Sequence, residues 1–412
     1  MRIVDVCAFY SPEGGGVRTY VEAKLKAAAR FGHEMIVLAP GDGYSVVQCA
    51  PGGYLATIPA PQLPVDRRYR YFSDERALHR ALDEWRPDHV EASSPWSSAT
   101  MVGRWDGAAT RSLIMHADPL SAYPYRLFGR IAPISTIDRW FEWFWKHLRG
   151  LDSLFDLVVC ANHQLSGRLI SQGLGRVETV PMGVEPGLFS PRRRSARLRR
   201  ELLARVGLDE SAVLLVGIGR FAGEKRWEMV LRSVAAAGRA TPVGLVLAGD
   251  GPRRRRLEQL AERLRHVAVL PRIADRTELA RLLASGDALV HGCEAETFCM
   301  AAAEARASGL PLIVPDRGAA VDQLVPGAGA IYRSGREYSL TEAIAGFAAA
   351  GPELQHARAV HNAHSRTMDE HFEQLFARYT QLAGERIGSQ ELPSVAAAMV
   401  PAAVVATASV AV

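Results

Sequence analysis

Between Val213 and Pro315 the chain returns five times to a short run of apolar residues: VLLVGIG, VGLVLAG, VAVLP, ALVH and LIVP. Helical stretches separate them. A strand that alternates apolar and polar residues faces water on one side. A run that is apolar throughout must be covered on both faces, which a parallel sheet between layers of helices provides. The same alternation opens the chain, with Arg2–Ala8, Ile36–Leu38, SLIMHA and LFDLVVCAN as strands and helices over about Val17–Phe31 and Ser73–Trp85. At 412 residues, two domains are favoured over one. The expected class is therefore α/β: two Rossmann-like, doubly wound domains over 1–185 and 211–367, joined by a basic linker over 186–210. Their cleft is the natural ligand site. A last helix over 368–384 is long enough to return to the N-terminal domain. The Ala/Val-rich residues 385–412 read as a disordered tail, with membrane contact the alternative.

Composition narrows the partners only slightly. A net charge of +5 and a pI near 9.0 favour anionic ligands, whether nucleotides, anionic lipid or nucleic acid. The cysteines at 7, 49, 160, 293 and 299 are odd in number and form no C-x-x-C, so reduced, mostly buried thiols in a cytoplasmic protein are expected. MRIVDVCAFY reads as a strand rather than a signal peptide, because Asp5 interrupts its short apolar run. No internal stretch is long and apolar enough to span a bilayer.

Ala288–Asp316 holds the densest chemistry. It reads as strand, turn, helix and strand, with a stop at Gly309 and carboxylates at Glu296, where the helix should begin, and Glu304, about two turns along it. Eight residues of helix separate the pair by about 12 Å, too far to share a proton but enough to span an extended ligand. GRFAGEKR places Arg220 and Lys225 in the loop after a buried strand, a planar donor fork and a point charge suited to a diphosphate. Its glycines do not follow G-x-G-x-x-G, and G-x-x-x-x-G-K-[ST] and D-x-D are absent. Dinucleotide oxidoreduction and P-loop kinase chemistry are disfavoured, and neither a cofactor nor a metal is expected.

Other features keep two readings. Gly14–Gly16 before the first helix could let a phosphate approach free helix amides, or be a flexible turn. His116 stands at the carboxyl end of a strand, where α/β sheets bind ligands, yet a structural histidine fits equally. Between Arg126 and Leu151, Trp140, Trp143 and Trp145 sit among Arg139, Lys146 and two phenylalanines. That mixture suits membrane or acceptor contact, or a helix packed in the N-terminal domain. The six arginines of PRRRSARLRR and the cluster Arg253–Arg256 read as solvated surface. His356, His361, His364 and His371 lack ligand spacing and are expected to face solvent.

VETVPMGVE, GRFAGEKR, LAGDGP and ETFCMAAAEARASGLP, in this order, resemble the retaining nucleotide-sugar glycosyltransferases of family four, with the GT-B fold. The resemblance runs from the Gly14–Gly16 loop to about Tyr332 and is most specific in the paired-glutamate element. It implies that Glu304 binds the donor ribose, that Glu296 holds the transferred sugar, and that His116 stands beside sugar and acceptor. Arg220 and Lys225, with amides at Gly15 and Gly16, would stabilise the leaving diphosphate. Thr297, Phe298, Cys299 and Met300 would complete the donor site. Thr297 and Cys299 replace the usual glycines and Ala301 a proline, so backbone approach to the phosphates is expected to differ, and the Thr297 hydroxyl could add a donor contact. The implied activity is metal-independent hexosyl transfer with retention, from a nucleotide-diphosphate sugar, UDP-hexose favoured, to a lipid or lipid-linked acceptor at the cytoplasmic membrane face. Alternatives are a soluble sugar or polysaccharide acceptor, a nucleotide-sugar epimerase or hydrolase, and a non-catalytic binding scaffold. No nucleic-acid partner is expected.

Overall fold

The computed structural model describes residues 1–10, 16–64, 69–129 and 131–391. Fourteen strands are found among them: β1 (Arg2–Val6), β2 (Glu34–Gly41), β3 (Ser45–Ala50), β4 (Gly53–Pro59), β5 (His89–Ala92), β6 (Thr110–Met115), β7 (Leu157–Cys160), β8 (Val177–Thr179), β9 (Val213–Ile218), β10 (Val243–Ala248), β11 (Val267–Leu270), β12 (Ala288–Val290), β13 (Leu312–Pro315) and β14 (Gly329–Tyr332). They form an eight-stranded sheet, β3-β4-β2-β1-β5-β6-β7-β8, and a six-stranded one, β11-β10-β9-β12-β13-β14. All neighbours pair in parallel except the hairpin β3–β4. Each sheet has a buried apolar cluster on both faces, as its uninterrupted apolar strands require.

In the first sheet, Val4 and Val6 of β1 pack on one face, while Ile3 packs on the other with the helix Gly16–Arg30. The long helix Met368–Glu391 lies on that second face too, burying Phe372, Leu375, Phe376 and Tyr379. The return of the C-terminal helix is thus observed. The helix extends seven residues past 384, so the expected disorder does not begin at 385, and 392–412 lie outside the described residues. His371, expected in solvent, is 3 % exposed: its Nε2 meets the Tyr20 hydroxyl at 2.9 Å and its Nδ1 faces the Pro181 carbonyl at 2.9 Å. It sits on the apolar face of the helix, one residue before Phe372.

The chain crosses between the sheets twice, near Val184 and Thr367, and the crossings pair. Val184 N–H donates to the Arg366 carbonyl at 2.8 Å, and Met368 N–H to that of Val184 at 2.9 Å. Gly183 fits there because a Cβ would run into the Thr367 carbonyl.

Candidate active site

The carboxyl ends of β9 and β12 bring the charged residues together. β12 leads into a loop over 291–299, and the helix Met300–Ala307 starts only after it. Glu296 therefore stands in the loop rather than at the helix start expected from the sequence. Cys299 explains the difference, since its φ of 63° and ψ of 69° are left-handed and end the loop with a turn. Gly309, at φ 71°, closes the helix as expected.

After β9, the turn Gly223–Lys225 presents Lys225. Lys225 ion-pairs with Glu296 Oε1, and His291 Nε2 lies 3.4 Å from the same oxygen. Burial alone would raise the Glu296 pKa, but Lys225 and the His291 contact outweigh it and hold it at about 2. Burial works against the Lys225 charge, and Glu296 more than restores it, so the Lys225 pKa is raised. Both are charged at neutral pH. Cys299 Sγ lies 3.5 Å from His291 Nε2, while burial and then Glu296 push its thiol well above the ordinary range. The ligand atoms of His291, Glu296 and Cys299 fall within 4.8 Å of one another, a spread that a soft divalent ion can span. His291 Nε2 is the shared neighbour of the Cys299 sulfur and the Glu296 carboxylate.

A cavity of about 1130 Å³ opens beside this cluster, large enough for a nucleotide. Arg220, Gly251, Ile273, Met300 and Glu304 line it from one half and Tyr20 from the other. Glu304 is buried on its helix, its Oε1 accepting from Arg276 Nη2 at 2.8 Å. Burial raises its pKa and Arg276 opposes that rise. The Arg220 guanidinium has no hydrogen-bond or ion-pair partner among the described residues. Of the expected donor-site residues, the cavity thus gathers Arg220, Met300 and Glu304, whereas Lys225, Glu296, Thr297, Phe298 and Cys299 lie beyond its lining. Phe298 and Cys299 turn their side chains into the core under the loop, leaving only their backbone for a ligand. Gly15 lies outside the described residues, and Gly16 opens its helix.

The other half meets the Glu296 loop directly. His116 follows β6, its ring centroid 4.9 Å from that of Tyr20. Burial, with Lys24 assisting and Glu91 opposing, lowers its pKa to about 4, so the imidazole is neutral at pH 7. Thr297 Oγ1 donates to the His116 carbonyl at 2.9 Å, and Asn162 Nδ2 donates to the Thr297 carbonyl at 2.7 Å. The Thr297 hydroxyl is thus engaged across the cleft, where the sequence suggested a donor contact. Asn162, Arg276 and His291 were not singled out from the sequence. Asn162 alone left a trace, as a polar residue between strand and helix, where its Oδ1 caps Leu165 N–H at 2.7 Å.

The aromatic segment divides. Ile134–Trp140 and Glu142–Asp152 are separate helices, broken at Phe141. Trp143 is 61 % exposed, and Trp140, Arg139 and Lys146 are exposed with it. Trp145 is 1 % exposed and cannot be the membrane or acceptor contact expected of it: its indole N–H donates to Asp138 Oδ1 at 3.2 Å inside the core. Tyr123, just before the segment, and Leu127 and Ile131 within it are exposed. Among the described residues no helix is long and apolar enough to cross a membrane.

Residues 14–188 match the family model described as Glycosyltransferase Family 4, and residues 199–363 that described as Glycosyl transferases group 1. A GDP-mannose-dependent alpha-(1-6)-phosphatidylinositol dimannoside mannosyltransferase of Mycobacterium tuberculosis is 32% identical over 333 residues, covering 80% of this chain and 83% of the relative. The chain belongs to glycosyltransferase family 4. A second M. tuberculosis relative of this glycosyltransferase, a GDP-mannose-dependent alpha-mannosyltransferase, is 30% identical over 79% of this chain and 82% of its own. Sucrose-phosphate synthase from Thermosynechococcus elongatus matches the fold with a TM-score of 0.69 at 18% identity, over 93% of this chain and 100% of that one. The two-domain GT-B architecture expected from the motifs is the one found.

Proposed function

We propose that this glycosyltransferase is a retaining, metal-independent α-mannosyltransferase that moves mannose from GDP-mannose to a phospholipid-linked acceptor. The carrying observation is the nucleotide-sized cavity beside an ionised Glu296 held by Lys225. GDP-mannose takes the place of the UDP-hexose expected from the sequence, because the two M. tuberculosis relatives described above are GDP-mannose-dependent. The phospholipid acceptor rests on the first of these relatives and on the exposed Tyr123, Leu127, Ile131, Trp140 and Trp143, which suit an enzyme working against a membrane face.

Glu304 and Arg276 hold the ribose end, and Arg220 faces the diphosphate. The Lys225 ammonium has three donors, so it can keep Glu296 and still reach a phosphate oxygen. Both cations then oppose the charge that grows as the sugar–phosphate bond breaks. Glu296 accepts from hydroxyls of the transferred mannose. The acceptor hydroxyl attacks from the face that the phosphate leaves, and its proton passes to the departing phosphate oxygen. His116, neutral, holds the sugar and acceptor by hydrogen bonding rather than by charge. Metal independence is supported by the two cations facing the diphosphate.

The test pairs donor binding with transfer. GDP-mannose at a hundred times its dissociation constant is expected to stabilise the protein by about 2.7 kcal/mol, with UDP-glucose well below. Mannose should pass to a phosphatidylinositol mannoside in mixed micelles and in EDTA, and Glu296→Ala should lower kcat by about a hundredfold. Transfer from UDP-glucose alone would overturn the donor, and loss of transfer in EDTA would overturn metal independence. Conversion of the donor without any acceptor would make the protein an epimerase or hydrolase.

A further inference from the structure

We propose that Arg126 and Arg253 form an anion subsite that receives a phosphodiester of the acceptor, an inference that rests on the lipid-directed reading above. Arg126 lies on the short helix Pro124–Phe128 of the N-terminal half, yet its guanidinium reaches the turn Gly223–Lys225 of the other half. The point where a Cβ on Gly223 would sit is 2.9 Å from Arg126 Nη1 and 2.9 Å from Arg253 Nη2. The two nitrogens are therefore no further apart than twice that distance, and two like charges converge on one spot.

Too little negative charge is present to balance them. Arg126 has no hydrogen bond or ion pair among the described residues, and its Nε is buried without a partner. Arg253 Nη1 meets Glu228 at 2.8 Å, but Arg256 shares that carboxylate at 3.3 Å. Glu224, in the same turn, forms no ion pair with either arginine. Two guanidiniums left with open donors match the oxygens of a phosphate, which would relieve their repulsion.

Position assigns the phosphate to the acceptor. Neither Arg126, Gly223 nor Arg253 lines the nucleotide cavity. Tyr123 and Leu127, flanking Arg126 in sequence, are more than 60 % exposed. A ligand with its phosphate at the arginines has exposed apolar side chains on the same short segment to offer its acyl chains. A phosphatidyl headgroup meets both requirements. A free phosphate or a sugar phosphate meets only the first.

Inorganic phosphate is titrated into wild type, Arg126→Gln and Arg253→Gln with GDP saturating the donor site, and melting temperature is read. Wild type is expected to bind phosphate, and both variants to bind it at least tenfold more weakly. Equal binding by all three overturns the subsite whatever the acceptor proves to be. Mannosyl transfer is then compared for a phosphatidylinositol mannoside and for octyl α-mannoside, which has no phosphate. Arg126→Gln should raise KM for the phospholipid about tenfold, Arg126→Lys should recover only part, and KM for octyl mannoside and affinity for GDP-mannose should stay unchanged. A changed GDP-mannose affinity would give the arginines to the donor instead. Equal losses with both acceptors would overturn the phosphate assignment. Phosphate binding at the arginines in a protein that transfers to no lipid would sink the lipid-directed reading while keeping the subsite.

Discussion

At the scale of single residues, Cys299 ties the chain's departure from its family to a measurable strain. Its φ of 63° belongs to the region in which a Cβ crowds the backbone, which is why glycine suits this place. The usual order of stability, Ala above Gly, should therefore invert here. Cys299→Gly is expected to be more stable than Cys299→Ala by about 1 kcal/mol, measured by urea denaturation. If Ala proves equal or better, the loop does not hold this conformation in solution. The sequence marked position 299 as unusual because a motif residue was replaced. It could not mark His291, which reaches Glu296 only through the fold of the loop, nor Arg276, whose tie to Glu304 links two helices. It also put Glu296 on the helix, since apolar spacing runs on unbroken through a residue whose backbone has turned left-handed.

Among elements, the returning helix Met368–Glu391 does more than cover apolar surface. Tyr379 donates to Glu91 Oε2 at 2.6 Å, and Glu91 and Asp5 enclose Lys24, all three fully buried. Burial and Glu91 push Asp5 up to about 6 against the pull of Lys24, whereas Lys24 and its hydrogen bond keep Glu91 below the usual carboxylate range despite burial. Removing the cation would leave two acids facing each other in the core. Lys24→Met should cost about 3–5 kcal/mol of unfolding free energy by denaturant titration, and adding Glu91→Gln should recover part of it. A loss below about 1 kcal/mol would mean that the acids are already neutral. The helix itself was legible, because its apolar residues recur at helical spacing. Its buried polar partners were not, since they lie in β1, β5 and the helix Gly16–Arg30, hundreds of residues away. The central strands were legible from their apolar runs. The hairpin β3–β4 is obscured in the sequence by glycine and proline around an edge where Val46 and Val47 face solvent. The aromatic segment misled because the density of tryptophan concealed the break at Phe141, which sends Trp145 inward while Trp143 points out.

Across the whole molecule, two kinds of connection hold the halves together, and they ask for different tests. The paired crossings at Val184 and Thr367 are covalent and persist however the cleft opens. The seam of Thr297 with His116 and Asn162, and of Gln164 Oε1 accepting from Gly318 N–H at 2.7 Å, lasts only while the two halves stay in contact. It joins the Glu296 loop to the strand end that carries His116, so the two sides of the proposed sugar site are set by hydrogen bonds between the halves rather than within either. Thr297→Val keeps the shape and removes the donor to His116. Asn162→Asp keeps an oxygen to cap its helix but loses the amide that holds Thr297. A hydrogen bond of this kind contributes about 1 kcal/mol, so each variant should lose roughly fivefold in kcat. KM for GDP-mannose should change little, because the nucleotide's own residues are untouched. The melting temperature should stay within a few degrees of wild type, since neither change opens a core. Wild-type kcat in both variants would show that the seam plays no part in aligning the site. A fall in kcat with the fold intact would place the alignment of His116 and Glu296 in closure itself, and make Thr297, one of the residues that replace the family's glycines, part of the device that closes it.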